Sequence, residues 1–117
     1  ERDIKIIKDN NVKAGIAVNP DTDFKKINKY LNKLDYILIM SVFPGFGGQR
    51  FIKSTLESMR YFSNLKHKNK FIIGVDGGIN LDTINEVYNT GIDITIVGSA
   101  LYGSKNITTR FKELMNE

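Results

Sequence analysis

Apolar runs rich in β-branched residues alternate with amphipathic segments along the 117 residues of this chain. Four of these runs are predicted strands, over residues 13–18, 36–42, 71–75 and 92–97. Short stretches of Gly, Pro or Asn separate them from the segments that follow, which is typical of βα units around a parallel sheet. The periodicity fits either a small open doubly wound sheet or part of a (β/α)₈ barrel, which normally takes about 250 residues.

The amphipathic segments predict the helices between these strands. In the segment after residue 20, apolar side chains recur at spacings of three and four, with Asp21 or Thr22 as the expected cap. We expect further helices over 55–65 and over 106–117, and one after a capping Asn80 with Leu81, Ile84, Val87 and Tyr88 facing inward. Residues 66–70 are predicted to be a polar turn, and strand 36–42 is expected to be covered on both faces and to be the most buried strand.

The composition limits the class of protein. With 41% apolar residues the chain can bury a core, and residues 1–117 are predicted to form a single domain. The absence of cysteine excludes disulfides and thiolate metal sites, and no apolar run approaches the roughly 20 residues that span a bilayer. The net charge of +4 comes from lysines scattered along predicted helices, which favours a solvated surface over the weaker alternative of a nucleic-acid site. We expect a soluble, cytoplasmic protein that binds neither nucleic acid nor membranes, and no secretory signal at Glu1.

Glycine-rich segments follow three of the predicted strands, at the end where α/β folds place their ligands. Glycine allows the backbone to approach a ligand closely, so that successive N–H groups can converge on an anion such as a phosphate dianion. Tight turns without a ligand are the alternative for any one segment. The candidate phosphate-binding residues are Gly45, Phe46, Gly47, Gly48, Gly77, Gly78, Gly98 and Ser99.

Asp76 is the candidate catalytic residue, because it ends a predicted strand and directly precedes Gly77 and Gly78. Its carboxylate can transfer a proton, ligate a metal, or do both; a surface turn or a helix cap is the alternative. Met40 and Ser41 lie near the end of the preceding strand, and either can line a pocket; core filling is an equal alternative for Met40. The single histidine, His67, lies in the predicted polar turn and is expected to be exposed and non-catalytic.

Three of these segments resemble the ribulose-phosphate 3-epimerase family: MSVFPGFGGQ at 40–49, VDGG at 75–78 and VGSAL at 97–101. KAG at 13–15, followed by Asn19 and Pro20, is similar to the fifth strand of that family. The likeness runs over essentially the whole chain, in the order of the second half of the family's barrel. We therefore expect the last four βα units of a (β/α)₈ TIM barrel of the ribulose-phosphate binding type.

The resemblance also implies an activity, the interconversion of D-ribulose 5-phosphate and D-xylulose 5-phosphate in the pentose phosphate pathway. Two aspartates exchange protons at C3 of this phosphorylated ketopentose through an enediolate, assisted by a divalent metal, of which zinc is expected and iron, manganese or cobalt are alternatives. By resemblance, Asp76 is both metal ligand and proton donor, and Met40 lines the pocket. A homo-oligomer is implied for the full-length protein.

Departures from the family pattern limit what these residues can do alone. The partner aspartate and two metal-binding histidines of the family come from earlier strands and have no counterpart in this chain. Phe43 and Gly74 stand where many members carry a polar and an acidic residue. An allulose-6-phosphate 3-epimerase and a non-catalytic phosphate-binding half-barrel are the alternatives, and the 117-residue chain alone is expected to be inactive and prone to self-association.

Overall fold

The computed structural model describes residues 2–45 and 49–115. Each of its four strands pairs in parallel with the next one in the chain, so the spatial order is the sequence order. A doubly wound sheet would reverse direction at a switch point, and this sheet does not. The strands are β1 (Gly15–Val18), β2 (Tyr36–Met40), β3 (Ile72–Asp76) and β4 (Ile94–Ile96).

Helical elements connect and flank the strands. They are α1 (Arg2–Asp9), a 3₁₀ helix (Phe24–Lys33), α2 (Thr55–Asn69), α3 (Ile84–Asn89), α4 (Ser99–Tyr102) and α5 (Ile107–Leu114). The predicted polar turn at 66–70 is wrong, because α2 continues to Asn69 and ends at Lys70 in a left-handed conformation. His67 lies in the last turn of α2 and is exposed, as expected.

The element between β1 and β2 differs from its prediction in type and in cap. It is a 3₁₀ helix whose N-cap is Asp23, and the Asp23 side chain makes no capping hydrogen bond. Thr22 instead accepts the backbone N–H of Asn19 at 3.1 Å, which closes the preceding turn. The predicted apolar face is confirmed, since Ile27 and Leu31 are buried. The spacing of apolar residues predicts which face is buried, and that face is buried in either an α-helix or a 3₁₀ helix.

Asn80 organises the turn before α3 and is not the residue adjoining the helix. Its Oδ1 accepts the backbone N–H groups of Asp82 and Thr83, at 2.9 and 3.2 Å. The helix begins only at Ile84. Ile84 and Val87 are buried as predicted, whereas Leu81 and Tyr88 are exposed, contrary to the prediction. Near the C-terminus the predicted helix over 106–117 corresponds to the shorter α5.

The core lies between one face of the sheet and the helices. Ile37 and Ile39 of β2 and Ile73 and Val75 of β3 alternate with residues that point the other way, and all four are essentially inaccessible to solvent. Helix α2 packs against both strands through apolar residues that include the fully buried Phe62. This covered face supplies the hydrophobic stabilisation of the chain.

The opposite face of the sheet is open. Ile72, Ile94 and Ile96 project from it and are 46%, 44% and 41% exposed. The expectation that β2 is covered on both faces and most buried is therefore wrong: Tyr36, Leu38 and Met40 are only partly buried, and β3 has more buried residues. In a closed (β/α)₈ barrel this face would be the packed interior. A sequential parallel sheet with all its cover on one side is therefore a partial barrel.

Candidate active site

A cavity of about 380 Å³ opens at the C-terminal ends of β2, β3 and β4. Its walls include every predicted site residue in the described part of the chain, and Phe46, Gly47 and Gly48 lie outside the described residues. The lining residues are Met40, Val42, Pro44, Gly45, Gln49, Asp76, Gly77, Gly78, Ile79, Ile96, Gly98 and Ser99. The three strand ends that were separate in sequence thus form one concave surface.

Asp76 occupies the centre of this arrangement. It is the last residue of β3, and its Cα is paired with that of Met40 on one side and Ile96 on the other. Paired residues of a sheet point to the same face, so all three side chains lie on the open face at the level of the cavity. Within residues 2–45 and 49–115 the Asp76 carboxylate has no hydrogen bond or ion pair. It is therefore free to engage a ligand.

Ser41 fixes the backbone on either side of Asp76. It is fully buried, its N–H donates to the carbonyl oxygen of Asp76 at 2.9 Å, and its hydroxyl donates to the same oxygen at 3.1 Å and to the carbonyl of Gly77. Its own carbonyl accepts the N–H of Ile52 at 2.8 Å. The pocket-lining role predicted for Ser41 does not fit, because Ser41 is fully buried and anchors the polypeptide around the site.

Gly77 and Gly78 form a turn that requires glycine. Their φ angles are 124° and 68°, and an added Cβ would lie 2.8 Å from the Val42 nitrogen at Gly77 and 2.6 Å from the Phe51 nitrogen at Gly78. Tertiary hydrogen bonds reach the carbonyl groups of this turn, from Ser41 and from Thr83 Oγ1, which donates to Gly78 at 3.0 Å. In the described part of the chain no acceptor faces their N–H groups, which leaves two donors for an anion.

Tyr36 is electrostatically coupled to Asp76. Burial raises the pKa of the Tyr36 phenol above its ordinary value, and the negative charge of Asp76 raises it further. Tyr36 lies on the same open face as Asp76, at a lower level of the sheet.

The sequence comparisons agree with this geometry. A family model described as the ribulose-phosphate 3 epimerase family matches residues 1–102. The chain belongs to the ribulose-phosphate 3-epimerase family. It is 40% identical over 119 residues to the ribulose-phosphate 3-epimerase of Aquifex aeolicus, covering 97% of this chain and 54% of that protein.

Two further relatives of the same name give the same picture. The Buchnera aphidicola protein is 44% identical over 108 residues, covering 91% of this chain and 47% of its own length. The Escherichia coli K12 protein is 37% identical over 119 residues, covering all of this chain and 53% of its own length. The chain therefore spans about half the length of the curated relatives that it matches.

A divalent-metal site needs a cluster of ligating side chains. Among the described residues no group of three or more His, Cys, Asp or Glu side chains is placed to hold a metal ion. His67 lies at the exposed end of α2. The described residues therefore do not form a divalent-metal site by themselves. The described residues also contain no helix of the length and apolarity needed to cross a membrane.

Several lining residues were not predicted from sequence. Ile96 could have been found from the register, because it stands opposite Asp76 in the neighbouring strand. Gln49 and Ile79 adjoin the glycine segments, but no residue type marked them as part of a site. Tyr36 gives no local signal, since only the folded sheet brings it beneath Asp76.

Proposed function

We propose that this chain is the C-terminal half of a ribulose-phosphate 3-epimerase, and that the intact protein interconverts D-ribulose 5-phosphate and D-xylulose 5-phosphate. The observation that carries the proposal is the shared cavity of Asp76 and the glycine turns at three strand ends. It is supported by the relatives, which are named ribulose-phosphate 3-epimerase and are about twice as long as this chain. A cytoplasmic location and a homo-oligomeric assembly belong to the same proposal and rest on the family resemblance.

The glycine turns would hold the phosphate of the substrate. Gly77 and Gly78, whose N–H groups have no hydrogen-bond partner among the described residues, line a cavity that also includes Gly98 and Ser99. Backbone N–H groups that converge on a phosphate form charge-assisted hydrogen bonds without the cost of ordering long side chains. Binding the remote phosphate in this way fixes the sugar so that its reacting carbon lies near Asp76.

Asp76 would move the proton. The C3 proton lies beside a ketone, so its removal produces an enediolate, and a proton returned to the opposite face of C3 inverts that centre. A protonated Asp76 can donate this proton, while a base outside the described residues removes the first one. A divalent cation such as zinc would supply positive charge next to the enediolate when bound. Asp76 would be one of its ligands, and the others would come from beyond these residues.

The test uses the intact protein that carries this chain, assayed for formation of D-xylulose 5-phosphate. Asp76→Asn should lower kcat by roughly a thousandfold, because it removes the acid while keeping the shape of the side chain. Asp82→Asn, at an exposed residue outside the 380 Å³ cavity, is the matched control and should have wild-type activity. Equal activity of both variants, or an inactive wild type, would refute the proposal. A faster turnover of a hexulose phosphate would change the proposed activity to that of an allulose-6-phosphate 3-epimerase. The sequence PGFG at 44–47 favours the pentulose phosphate instead.

A non-catalytic phosphate-binding half-barrel is the second candidate for the chain by itself. It is favoured because the described residues contain no group of three or more His, Cys, Asp or Glu side chains that could hold a metal ion. Epimerase activity of the purified 117-residue chain would eliminate this candidate. Binding of phosphate without turnover would support it.

A further inference from the structure

Tyr36 and Gly74 form a complementary pair on the open face of the sheet. The phenol ring leans from β2 across β3, where its Cζ lies 2.8 Å from the point that a Cβ on residue 74 would occupy, and its hydroxyl lies closer still. Real Cβ contacts are not shorter than 3.0 Å. Glycine at position 74 is therefore required for Tyr36 to adopt this orientation.

This orientation carries the Tyr36 hydroxyl upward along the sheet. In the register Tyr36 is opposite Ile72, and Met40 is opposite Asp76. The hydroxyl reaches over Gly74, which is the level directly below Asp76 on the same face. Residues two apart on a strand are separated by about 6.8 Å. The two groups make no direct hydrogen bond, but at this spacing one water molecule can bridge them.

The Tyr36 hydroxyl has no hydrogen-bond partner among the described residues, and the Asp76 carboxylate is a candidate acceptor for it. Among residues 2–45 and 49–115 that hydroxyl makes no hydrogen bond, although the side chain is partly buried. The hydroxyl oxygen itself remains accessible to solvent, so a water molecule can bridge it to a neighbouring acceptor. The charge of Asp76 also acts on the phenol, which is independent of the steric relationship with Gly74.

We propose that Tyr36 is a positioning residue: its hydroxyl donates a hydrogen bond to a water molecule that bridges to the Asp76 carboxylate, and this bridge orients the carboxylate toward the cavity. The role in catalysis rests on the proposed function, whereas the water-bridged contact between the two side chains does not. Gly74 is part of the same arrangement, because it leaves the space that the phenol ring occupies.

The contact can be tested without any assay of activity. The 117-residue chain is labelled with ¹³C at Cζ of tyrosine, and the resonance that disappears in Tyr36→Phe is assigned to Tyr36. Asp76→Asn should shift this resonance, since Cζ reports the charge and hydrogen bonding of the phenol oxygen. Asp82→Asn is the control and should leave it in place. An unchanged Tyr36 resonance in Asp76→Asn would overturn the proposal.

The role in catalysis is tested in the intact protein with Tyr36→Phe, which keeps the ring and removes only the hydroxyl. We expect kcat to fall about tenfold, as for the loss of one hydrogen bond, with KM and the thermal midpoint close to wild type. A residue that only fills space would give wild-type kcat in this variant, and that result would overturn the positioning role. An inactive wild type would refute the proposed function alone, because the resonance experiment still decides the contact.

Discussion

The carboxylate of Asp93 accepts the backbone N–H of Ile73 at 2.9 Å and so joins the start of β4 to the start of β3. Asp35 does the same between β2 and β1, where its Oδ2 accepts the N–H of Ala14 at 2.8 Å. In each case the backbone N–H of the aspartate donates back to the carbonyl of the same partner. The N-terminal ends of the strands thus carry a repeated stabilising contact, and the opposite ends carry the candidate site, as is usual in (β/α)₈ folds.

Asp93→Ala should lower the free energy of unfolding by about 1–3 kcal/mol, because it leaves the N–H of Ile73 without its acceptor. The variant also removes the 3.1 Å ion pair with Lys66, which is partly exposed and contributes less. Chemical denaturation of the chain measures the difference. Asp82→Ala, at an exposed residue, is the matched control, and an equal loss in both variants would contradict the contact's contribution.

Asp35 should make stability depend on pH. Its pKa is lowered by the hydrogen bond from Lys8 and then by that from the Ala14 N–H. A carboxyl with a lower pKa in the folded state contributes stability above its unfolded pKa of about 3.9, and this contribution is lost as the pH falls toward the folded pKa. The free energy of unfolding, measured by denaturation from about pH 6 down to about pH 3, should therefore depend less steeply on pH for Asp35→Asn than for the wild type. An identical pH slope would contradict the assignment.

Ser41→Ala should destabilise the chain by about 1–3 kcal/mol, because the carbonyl of Gly77 loses its buried donor. The variant should also weaken ligand binding, since the same hydroxyl holds the backbone of Asp76. Ser54→Ala is a suitable control, because Ser54 is exposed and its side chain makes no capping hydrogen bond. Thermal unfolding of the two variants provides the comparison, and equal midpoints would rule out the anchoring role.

Substitutions of two cavity glycines should have different effects. Gly78→Ala should unfold or strongly destabilise the chain, because φ is 68° and the new Cβ would meet the backbone of Phe51. Gly98→Ala meets no atom within 4 Å and should keep the stability of the wild type. If Gly98 gives a phosphate room to approach, this variant should nevertheless weaken binding of inorganic phosphate by roughly tenfold or more. Unchanged phosphate affinity, measured by calorimetry, would remove Gly98 from the binding site.

The sequence predicts those parts of the site that depend on local features. Gly77 and Gly78 after an apolar strand, with Asp76 before them, carry the signal in adjacent residues, and the cavity contains all three. The open face follows from the half-barrel interpretation and not from the strand itself, because an apolar strand such as β2 has the same composition whether one face or both are covered. The pairing of Tyr36 with Gly74 depends on a side-chain orientation across two strands, which no pattern along one strand encodes.

The open face should govern the solution behaviour of the chain. Ile72 is 46% exposed on it, whereas its neighbour Ile73 is fully buried against the helices. In the described part of the chain β1 and β4 also each pair with one strand only, so both edges can add further strands. We expect concentration-dependent association at micromolar levels, detectable by light scattering after size-exclusion chromatography.

Ile72→Lys should reduce this association while the chain stays folded, because the charge is placed on a surface in contact with water. Ile73→Lys is the matched control on the same strand, and it should unfold the chain by burying an unpaired ammonium group. Circular dichroism distinguishes loss of association from loss of fold. A stable monomer in the unmodified chain, or equal unfolding by both substitutions, would contradict an open sheet face and with it the half-barrel architecture.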